Sequence, residues 1–127
     1  MSVELNHTIV WCRDKSVSAN FLREILGLPK PSRFGPFLVV SLANDISLDF
    51  YETKDAISSQ HYAFLVAEAE FEPIFERVRT RKLTYWADPA KEQKGKLNHR
   101  DGGKGFYFED PDGHFLEILT RPYGSGG

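Results

Sequence analysis

The feature that most constrains the fold of this chain is an internal repeat. Phe21 lies 14 positions after His7, and Phe75 lies 14 positions after His61. In each half, a strand-like segment that carries the histidine is followed by a helix-like segment that carries the phenylalanine. Two unrelated segments would rarely keep this register. The chain is therefore expected to contain two copies of one structural module.

The repeat extends to the end of each half, where an acid stands between two apolar residues. Asp49 is flanked by Leu48 and Phe50, and Glu117 occupies the equivalent place in Leu-Glu-Ile. Asp49 follows the first histidine by 42 positions and Glu117 follows the second by 56. The additional residues fall in a long polar loop of the second half, so the strands themselves remain equivalent.

The length of 127 residues limits how the two copies can be arranged. It suits one domain with a substantial core and is too short for two domains with separate cores. We therefore predict a single domain over residues 1–127, with module 1 at about 1–55 and module 2 at about 58–123.

The first half predicts the order β-α-β-β-β. Ser16 is the expected N-cap of a helix of about three turns that Gly27 and Pro29 close. Strands are predicted at 5–11, 37–42 and 46–52, with a weaker candidate at 32–34.

The second half repeats this order. A strand at 61–66 precedes a helix whose Pro73 is expected in the first turn. Further strands are predicted at 83–87, 106–108 and 115–120, the last two joined by a hairpin turn at 110–113. The fold class is therefore α+β, with two βαβββ modules forming a cupped mixed sheet and the helices on its outer face.

Composition excludes several classes of function. The formal net charge is −2 and the pI is about 6.1, so no domain-wide positive field favours nucleic acid. No apolar stretch approaches the roughly 20 residues that span a bilayer. Cys12 is the single cysteine, and the N-terminus does not resemble a signal peptide. A cytoplasmic protein without nucleic-acid or membrane partners is expected.

Strand alternation predicts a metal site. In the last strand, Glu117 points away from the side on which the helix packs, and the same rule places Asp49, His7 and His61 on helix-free faces. Two imidazoles and a carboxylate suit one divalent metal, namely Fe, Mn, Ni, Zn or Co. The alternative is that each histidine is a half-buried strand residue bonded to the backbone. Glu117 among apolar neighbours needs a metal or an arginine to offset its burial.

Other candidates carry weaker arguments. Asp49 is a fourth ligand or an orienting group, and Asp49 or Tyr51 is the candidate for proton transfer. Trp11 and Tyr107 are expected to wall a substrate pocket, although aromatic strand residues also serve as core. In the loop at 88–104, a set of cations with His99 and Arg100 forms either a lid that steers an anionic substrate or a solvated surface loop. His114 is expected to serve the turn.

The segment from Gly103 to Ile118, Gly-Lys-Gly-Phe-Tyr-Phe-Glu-Asp-Pro-Asp-Gly-His-Phe-Leu-Glu-Ile, resembles the C-terminal signature of the glyoxalase/bleomycin resistance/extradiol dioxygenase superfamily, also called the vicinal oxygen chelate superfamily. The resemblance extends to Asn-His-Thr-Ile at 6–9 and Gln-His-Tyr-Ala at 60–63. It implies paired βαβββ modules and a divalent metal at His7, His61 and Glu117, with a fourth ligand at Asp49 in some members.

The resemblance also bounds the function. It implies a metal-dependent enzyme acting on a small substrate chelated through adjacent oxygens, as a lyase, isomerase, thiol transferase or ring-cleaving dioxygenase. The alternative is a metal-free binding protein of the bleomycin-resistance type. A homodimer is expected, because family members usually pair and open cupped sheets leave strand edges unpaired.

Overall fold

The structure is a computed structural model that describes residues 2–126, and the chain divides between Ser58 and Ser59 into two compact units. Both units have the predicted order β-α-β-β-β. The first unit contains β1 (His7–Cys12), α1 (Lys15–Leu26), β2 (Ser32–Phe34), β3 (Phe37–Ser41) and β4 (Ser47–Glu52). The second contains β5 (His61–Leu65), α2 (Glu68–Thr80), β6 (Tyr85–Trp86), β7 (Gly105–Glu109) and β8 (Phe115–Leu119), with a short 3₁₀ turn at Arg100–Gly102.

Each unit has one four-stranded mixed sheet, in the order β1-β4-β3-β2 or β5-β8-β7-β6. The first strand of each unit pairs in parallel with the last, and the other pairs are antiparallel. Asp49 lies opposite Ile9, and Glu117 lies opposite Ala63. Because each of these partners comes two positions after the histidine of its strand, the repeat is confirmed at the level of strand register.

In the first unit, alternation along β1 separates a buried face from an open one. Val10 and Cys12 are buried together with Phe50 of β4, on the side where α1 packs against β3 and β4. His7 and Trp11 point to the other side and are exposed. The apolar side chains thus fill the space beneath the helix, and the predicted site residues stay on the free face.

The N-cap of α1 is Asp14, so the prediction of Ser16 was wrong. The Asp14 carboxylate accepts hydrogen bonds from the backbone N–H groups of Ser16, at 3.0 Å, and Val17, at 3.2 Å. Asp14 precedes the first helical residue and has an extended backbone, whereas Ser16 already lies in the first turn. An acid at this position satisfies two otherwise unpaired helix donors and complements the helix dipole. Gly27, with φ of 70°, ends the helix as predicted.

In the second unit, the core is built around a fully buried phenylalanine of β7. The ring of Phe106 meets Phe71 of α2 at 5.6 Å, Phe75 of α2 at 5.3 Å and Tyr85 of β6 at 5.9 Å between centroids. Aromatic side chains bury large areas and favour such tilted contacts. Within residues 2–126, neither helix is long and apolar enough to cross a membrane.

Two predictions about this unit need correction. Pro73 is the sixth residue of α2 and therefore lies in the second turn of the helix, where it has no N–H to donate toward the Ala69 carbonyl. The strand predicted at 83–87 is only two residues long. The hairpin turn is confirmed, since Gly113 donates its N–H to the Asp110 carbonyl at 3.1 Å and has φ of 85°.

Candidate metal centre

Glu117 lies at the centre of the open face of the second sheet. Its cross-strand neighbours are Ala63 on β5 and Tyr107 on β7, and all three point away from α2. Although the side chain lies on this open face, Glu117 is only 1% exposed. A carboxylate that is removed from water requires compensating partners. The contacts around its two oxygens therefore decide what the site can do.

His61 contacts the first carboxylate oxygen. The imidazole Nε2 lies 3.2 Å from Glu117 Oε1, and the side chain of His61 is 49% exposed. The other ring nitrogen, Nδ1, lies 2.9 Å from the backbone oxygen of Phe115. A carbonyl oxygen can only accept a hydrogen bond, so Nδ1 carries a proton and donates it. The backbone thus sets both the orientation and the tautomer of the ring.

This tautomer decides when the contact between His61 Nε2 and Glu117 Oε1 is favourable. In the neutral ring, the Nε2 lone pair faces a carboxylate oxygen, and two acceptors do not attract each other. The contact is favourable when one proton lies between the two atoms, on either partner, or when both atoms bind the same metal cation. An imidazole nitrogen and a carboxylate oxygen are ligands for divalent transition metals. The residues of this pair therefore fit a metal ion.

Tyr123 contacts the second carboxylate oxygen. Its hydroxyl donates a hydrogen bond to Glu117 Oε2, and the hydroxyls of Tyr107 and Tyr123 are 3.0 Å apart. Arg100 Nη1 donates to Tyr107 at 2.7 Å and to Tyr123 at 3.3 Å. Partial burial, followed by the hydrogen bonds to Glu117 and Tyr107, raises the pKa of Tyr123. The phenol is therefore a donor to Glu117 at neutral pH.

Arg100 places a positive charge at the end of this network. Its hydrogen bond to Tyr107 is the main cause that raises the pKa of the guanidinium, with smaller contributions from the charges of Tyr123 and Glu117. The guanidinium carbon also lies 5.6 Å from the centre of the Tyr107 ring. Predicted from sequence as a substrate-binding residue, Arg100 thus lies next to the partners of Glu117.

The C-terminal segment that carries Tyr123 is held by Asp101. The two carboxylate oxygens of Asp101 accept hydrogen bonds from the backbone N–H groups of Gly124, at 3.0 Å, and Gly126, at 3.2 Å. A Cβ on Gly126 would collide with the Asp101 backbone. Asp101 itself has a left-handed backbone, with φ of 56°. We refer to residues 121–126 as the C-terminal clasp.

The loop at 88–104 contacts the same face. Lys91 Nζ lies 5.0 Å from the centre of the Trp86 ring and 5.1 Å from that of Phe115, and it forms an ion pair with Glu109 at 3.5 Å. His99 instead contacts its own loop, with Nδ1 3.2 Å from the Gly103 oxygen. Part of the loop is therefore folded onto the sheet through its cations.

The open face of the first unit carries the other predicted site residues. His7 Nδ1 lies 2.8 Å from Asn6 Oδ1. In His7, as in His61, an oxygen therefore accepts the Nδ1 proton, and the lone pair of the neutral ring is on Nε2. Asp49 is buried, and its Oδ1 accepts a hydrogen bond from Ser47 at 2.8 Å. Ser47 is the cross-strand partner of His7.

A pocket of about 460 Å³ lies on this face of the first unit, and His7, Asp49 and Arg33 are among the residues that line it. Beyond the pocket, the ring of Tyr51 contacts Trp11 at 5.3 Å between centroids and Phe37 at 5.0 Å. A concave surface with a few charged groups and aromatic neighbours is typical of small-molecule sites.

The structure brings part of the predicted site together. His61 and Glu117 are in contact, with Tyr107 and Arg100 next to them. Among residues 2–126, no group of three or more His, Cys, Asp or Glu side chains is arranged to hold a metal ion. Metal binding by the full set of four predicted ligands therefore stays a prediction.

Sequence reasoning missed Tyr123, since it follows the last strand in a Gly-rich tail that shows no periodic pattern. His114 serves the turn as expected, since its backbone N–H donates to Asp110 Oδ1 at 2.9 Å. Its side chain is also fully buried, and Nδ1 accepts a hydrogen bond from the Gln60 backbone N–H at 3.0 Å.

Comparison with known proteins identifies relatives across nearly the whole chain. The model of the Glyoxalase/Bleomycin resistance protein/Dioxygenase superfamily matches residues 4–118. A solved structure named Oxidase ChaP-H2 is 58% identical, with a TM-score of 0.97 and 100% coverage of both chains. Glutathione transferase FosA of Serratia marcescens is 33% identical over 93% of this chain and 81% of its own length. Metallothiol transferase FosB of Staphylococcus saprophyticus is 27% identical over 94% of this chain and 78% of its own.

Proposed function

This chain belongs to the glyoxalase/bleomycin resistance protein/dioxygenase superfamily, and we propose that it is a divalent-metal-dependent oxidase of a small organic substrate that binds through two adjacent oxygens. Oxidation is favoured over the other reactions of the superfamily by the name of the 58% identical structure, which covers the full chain. The 33% identical relative is named a glutathione transferase, so thiol transfer is the second candidate.

The observation that carries the metal proposal is the contact between His61 Nε2 and Glu117 Oε1. With His61 Nδ1 bonded to the backbone of Phe115, Nε2 and the carboxylate together present one nitrogen and one oxygen ligand. We propose His7 as the third ligand, because it occupies the equivalent repeat position and its Nδ1 also meets an oxygen, that of the Asn6 side-chain amide. Two histidines and one carboxylate are the typical ligands of non-haem Fe(II) oxygenases.

A divalent metal, when bound, supplies a Lewis acid with open coordination positions. The residues of this chain are proposed to perform the remaining tasks. We propose Asp49, which is buried and hydrogen-bonded to Ser47, as the group that accepts a proton from the substrate or as a weaker fourth ligand. Arg100 is proposed to donate hydrogen bonds to substrate oxygens, and the rings of Tyr107, Tyr51 and Trp11 to pack against the apolar part of the substrate.

Oxygen uptake tests this proposal directly. Protein purified without chelators and loaded anaerobically with Fe(II) is expected to consume dioxygen when a catechol-type diol is added, and to consume little without the diol or without the metal. Elemental analysis on the same sample gives the metal stoichiometry, for which one ion per chain is expected. A protein that binds metal stoichiometrically, shows no oxygen uptake and transfers glutathione to fosfomycin would be a thiol transferase instead.

The alternative of metal-free drug binding makes a different prediction. A sequestration protein would contain no stoichiometric metal and would still bind a ligand such as bleomycin, and the His61→Ala variant would bind it as well as the parent does. The His61–Glu117 pair argues against this alternative, since a drug-binding face does not require a buried carboxylate with an imidazole beside it.

We also propose that the protein is a homodimer. β1 and β2 are the edges of the first sheet and β5 and β6 the edges of the second, so each unit presents strands that pair on one side only within that unit. Such edges favour association. Sedimentation equilibrium is expected to give about twice the mass of 14.5 kDa, and a monomer at micromolar concentration would contradict the proposal.

A further inference from the structure

We infer that Tyr123 is a positioning residue of the metal centre: its hydroxyl holds Glu117 Oε2, so that only Oε1, beside His61 Nε2, is presented to the metal. The inference rests on the proposed function. Tyr123 touches a ligand rather than the substrate, so its role is to fix the geometry of that ligand.

The two carboxylate oxygens of Glu117 have different partners. Oε1 lies 3.2 Å from His61 Nε2, and Oε2 accepts the hydrogen bond from Tyr123. A carboxylate whose second oxygen accepts a hydrogen bond binds a cation through the other oxygen. A carboxylate without that donor is able to rotate and bind through both.

The Tyr123 hydroxyl belongs to a hydrogen-bonded network that is anchored on the sheet. The Tyr123 hydroxyl accepts a hydrogen bond from Tyr107, which itself accepts one from Arg100. Tyr107 is buried on β7, in register with Glu117 on β8. The donor is therefore fixed from the sheet as well as from the tail that carries it, and networks of this kind hold their members more firmly than single bonds do.

The backbone around Tyr123 is held in place independently of the hydroxyl. Asp101 accepts hydrogen bonds from the N–H groups of Gly124 and Gly126, and Gly126 packs against the Asp101 backbone without room for a side chain. A tail that only covered the surface would not need both the two hydrogen bonds to the Asp101 carboxylate and the close glycine contact. The C-terminal clasp thus holds the Tyr123 hydroxyl next to Glu117, although Tyr123 is 59% exposed.

Tyr123→Phe isolates the hydroxyl, because it keeps the ring and the clasp. Titration of the metal-free protein with Co(II) is expected to give a Kd about 10-fold higher than that of the parent, within the range typical for loss of a partner of a metal ligand. The d–d absorption of the Co(II) protein is expected to change, because Glu117 gains the freedom to bind through both oxygens. A purely structural role of Tyr123 would leave this spectrum unchanged.

Two further variants distinguish the effect of the Tyr123 hydroxyl from that of the C-terminal clasp and from that of losing any tyrosine hydroxyl in the second unit. Asp101→Gly removes the carboxylate that accepts the hydrogen bonds from Gly124 and Gly126, and glycine suits the left-handed backbone at that position. We expect faster hydrogen exchange in residues 121–126. We also expect weaker Co(II) binding, with a smaller change than in Tyr123→Phe. Tyr85→Phe removes a hydroxyl from a ring that packs against Phe75 in the core. It is expected to bind Co(II) as the parent does.

The outcomes distinguish this inference from the proposed function. Parent protein that binds Co(II), together with a Tyr123→Phe variant of equal affinity and identical spectrum, overturns the role of Tyr123 and leaves the metal proposal intact. Parent protein that binds no Co(II) overturns both. Equal weakening in Tyr85→Phe and Tyr123→Phe would attribute the effect to packing, and this too would contradict the inference.

Discussion

A Glu117→Gln variant is expected to bind Co(II) at least about 100-fold more weakly than the parent protein, since even the loss of an outer partner of a metal ligand costs about 10- to 100-fold. Glutamine keeps the volume of the buried side chain but removes its charge, and its amide is a poor metal ligand. Isothermal titration calorimetry with Co(II) measures the change in the dissociation constant. Glu109→Gln is the matched control, because Glu109 is an exposed acid of the same sheet that pairs with Lys91.

The Glu117→Gln protein is expected to remain folded, which makes the result interpretable. The side chain of His61 is 49% exposed, so water can hydrogen-bond to its imidazole when the Glu117 carboxylate is replaced. Circular dichroism of the metal-free variant should match that of the parent. Co(II) affinity close to that of the parent would show that Glu117 is not a ligand and would remove the basis of the proposed oxidase.

Phe106→Ala is expected to lower the free energy of unfolding by about 3–5 kcal/mol, the usual cost of removing a buried phenylalanine. Phe106 is fully buried against aromatic residues of α2 and β6, so the cavity left by the substitution would be lined by large rings that cannot easily close it. Urea denaturation followed by circular dichroism measures this loss.

Phe34→Ala provides the comparison for this substitution. Phe34 lies on β2 and is 73% exposed, and exposed substitutions usually change stability by under about 0.5 kcal/mol. Equal destabilisation by the two substitutions would mean that the second unit does not depend on the packing of Phe106. A large loss at Phe34 alone would instead indicate that β2 is covered by another surface in solution.

Much of the fold follows from regular patterns in the chain. The period-two alternation around Glu117 assigns this acid to the helix-free face, and the equal spacing of Phe21 and Phe75 from their histidines predicts that both halves use the same order of elements. These signals are local, because a strand places every second side chain on one face and a helix places every third or fourth on one side. They are sufficient to place Glu117 and His61 on one face.

Local patterns were less informative at the ends of elements. Asp14 and Ser16 are both good N-cap residues, and the choice between them depends on where β1 stops and where α1 can pack against its sheet. Pro73 was expected in a first turn because proline is best tolerated there. In the structure the helix begins earlier, at Glu68, and carries the proline in its second turn.

The sequence by itself therefore determined the βαβββ repeat, the faces of its strands, and the family with its candidate ligands. Only the tertiary structure decided that His61 Nδ1 is bonded to the Phe115 backbone, that Arg100 and Tyr107 join one network, and that Tyr123 reaches Glu117. The physical reason is that these contacts depend on the paths of a loop and a tail, which have no repeating pattern. Their conformations are set by long-range hydrogen bonds such as those from Gly124 and Gly126 to Asp101.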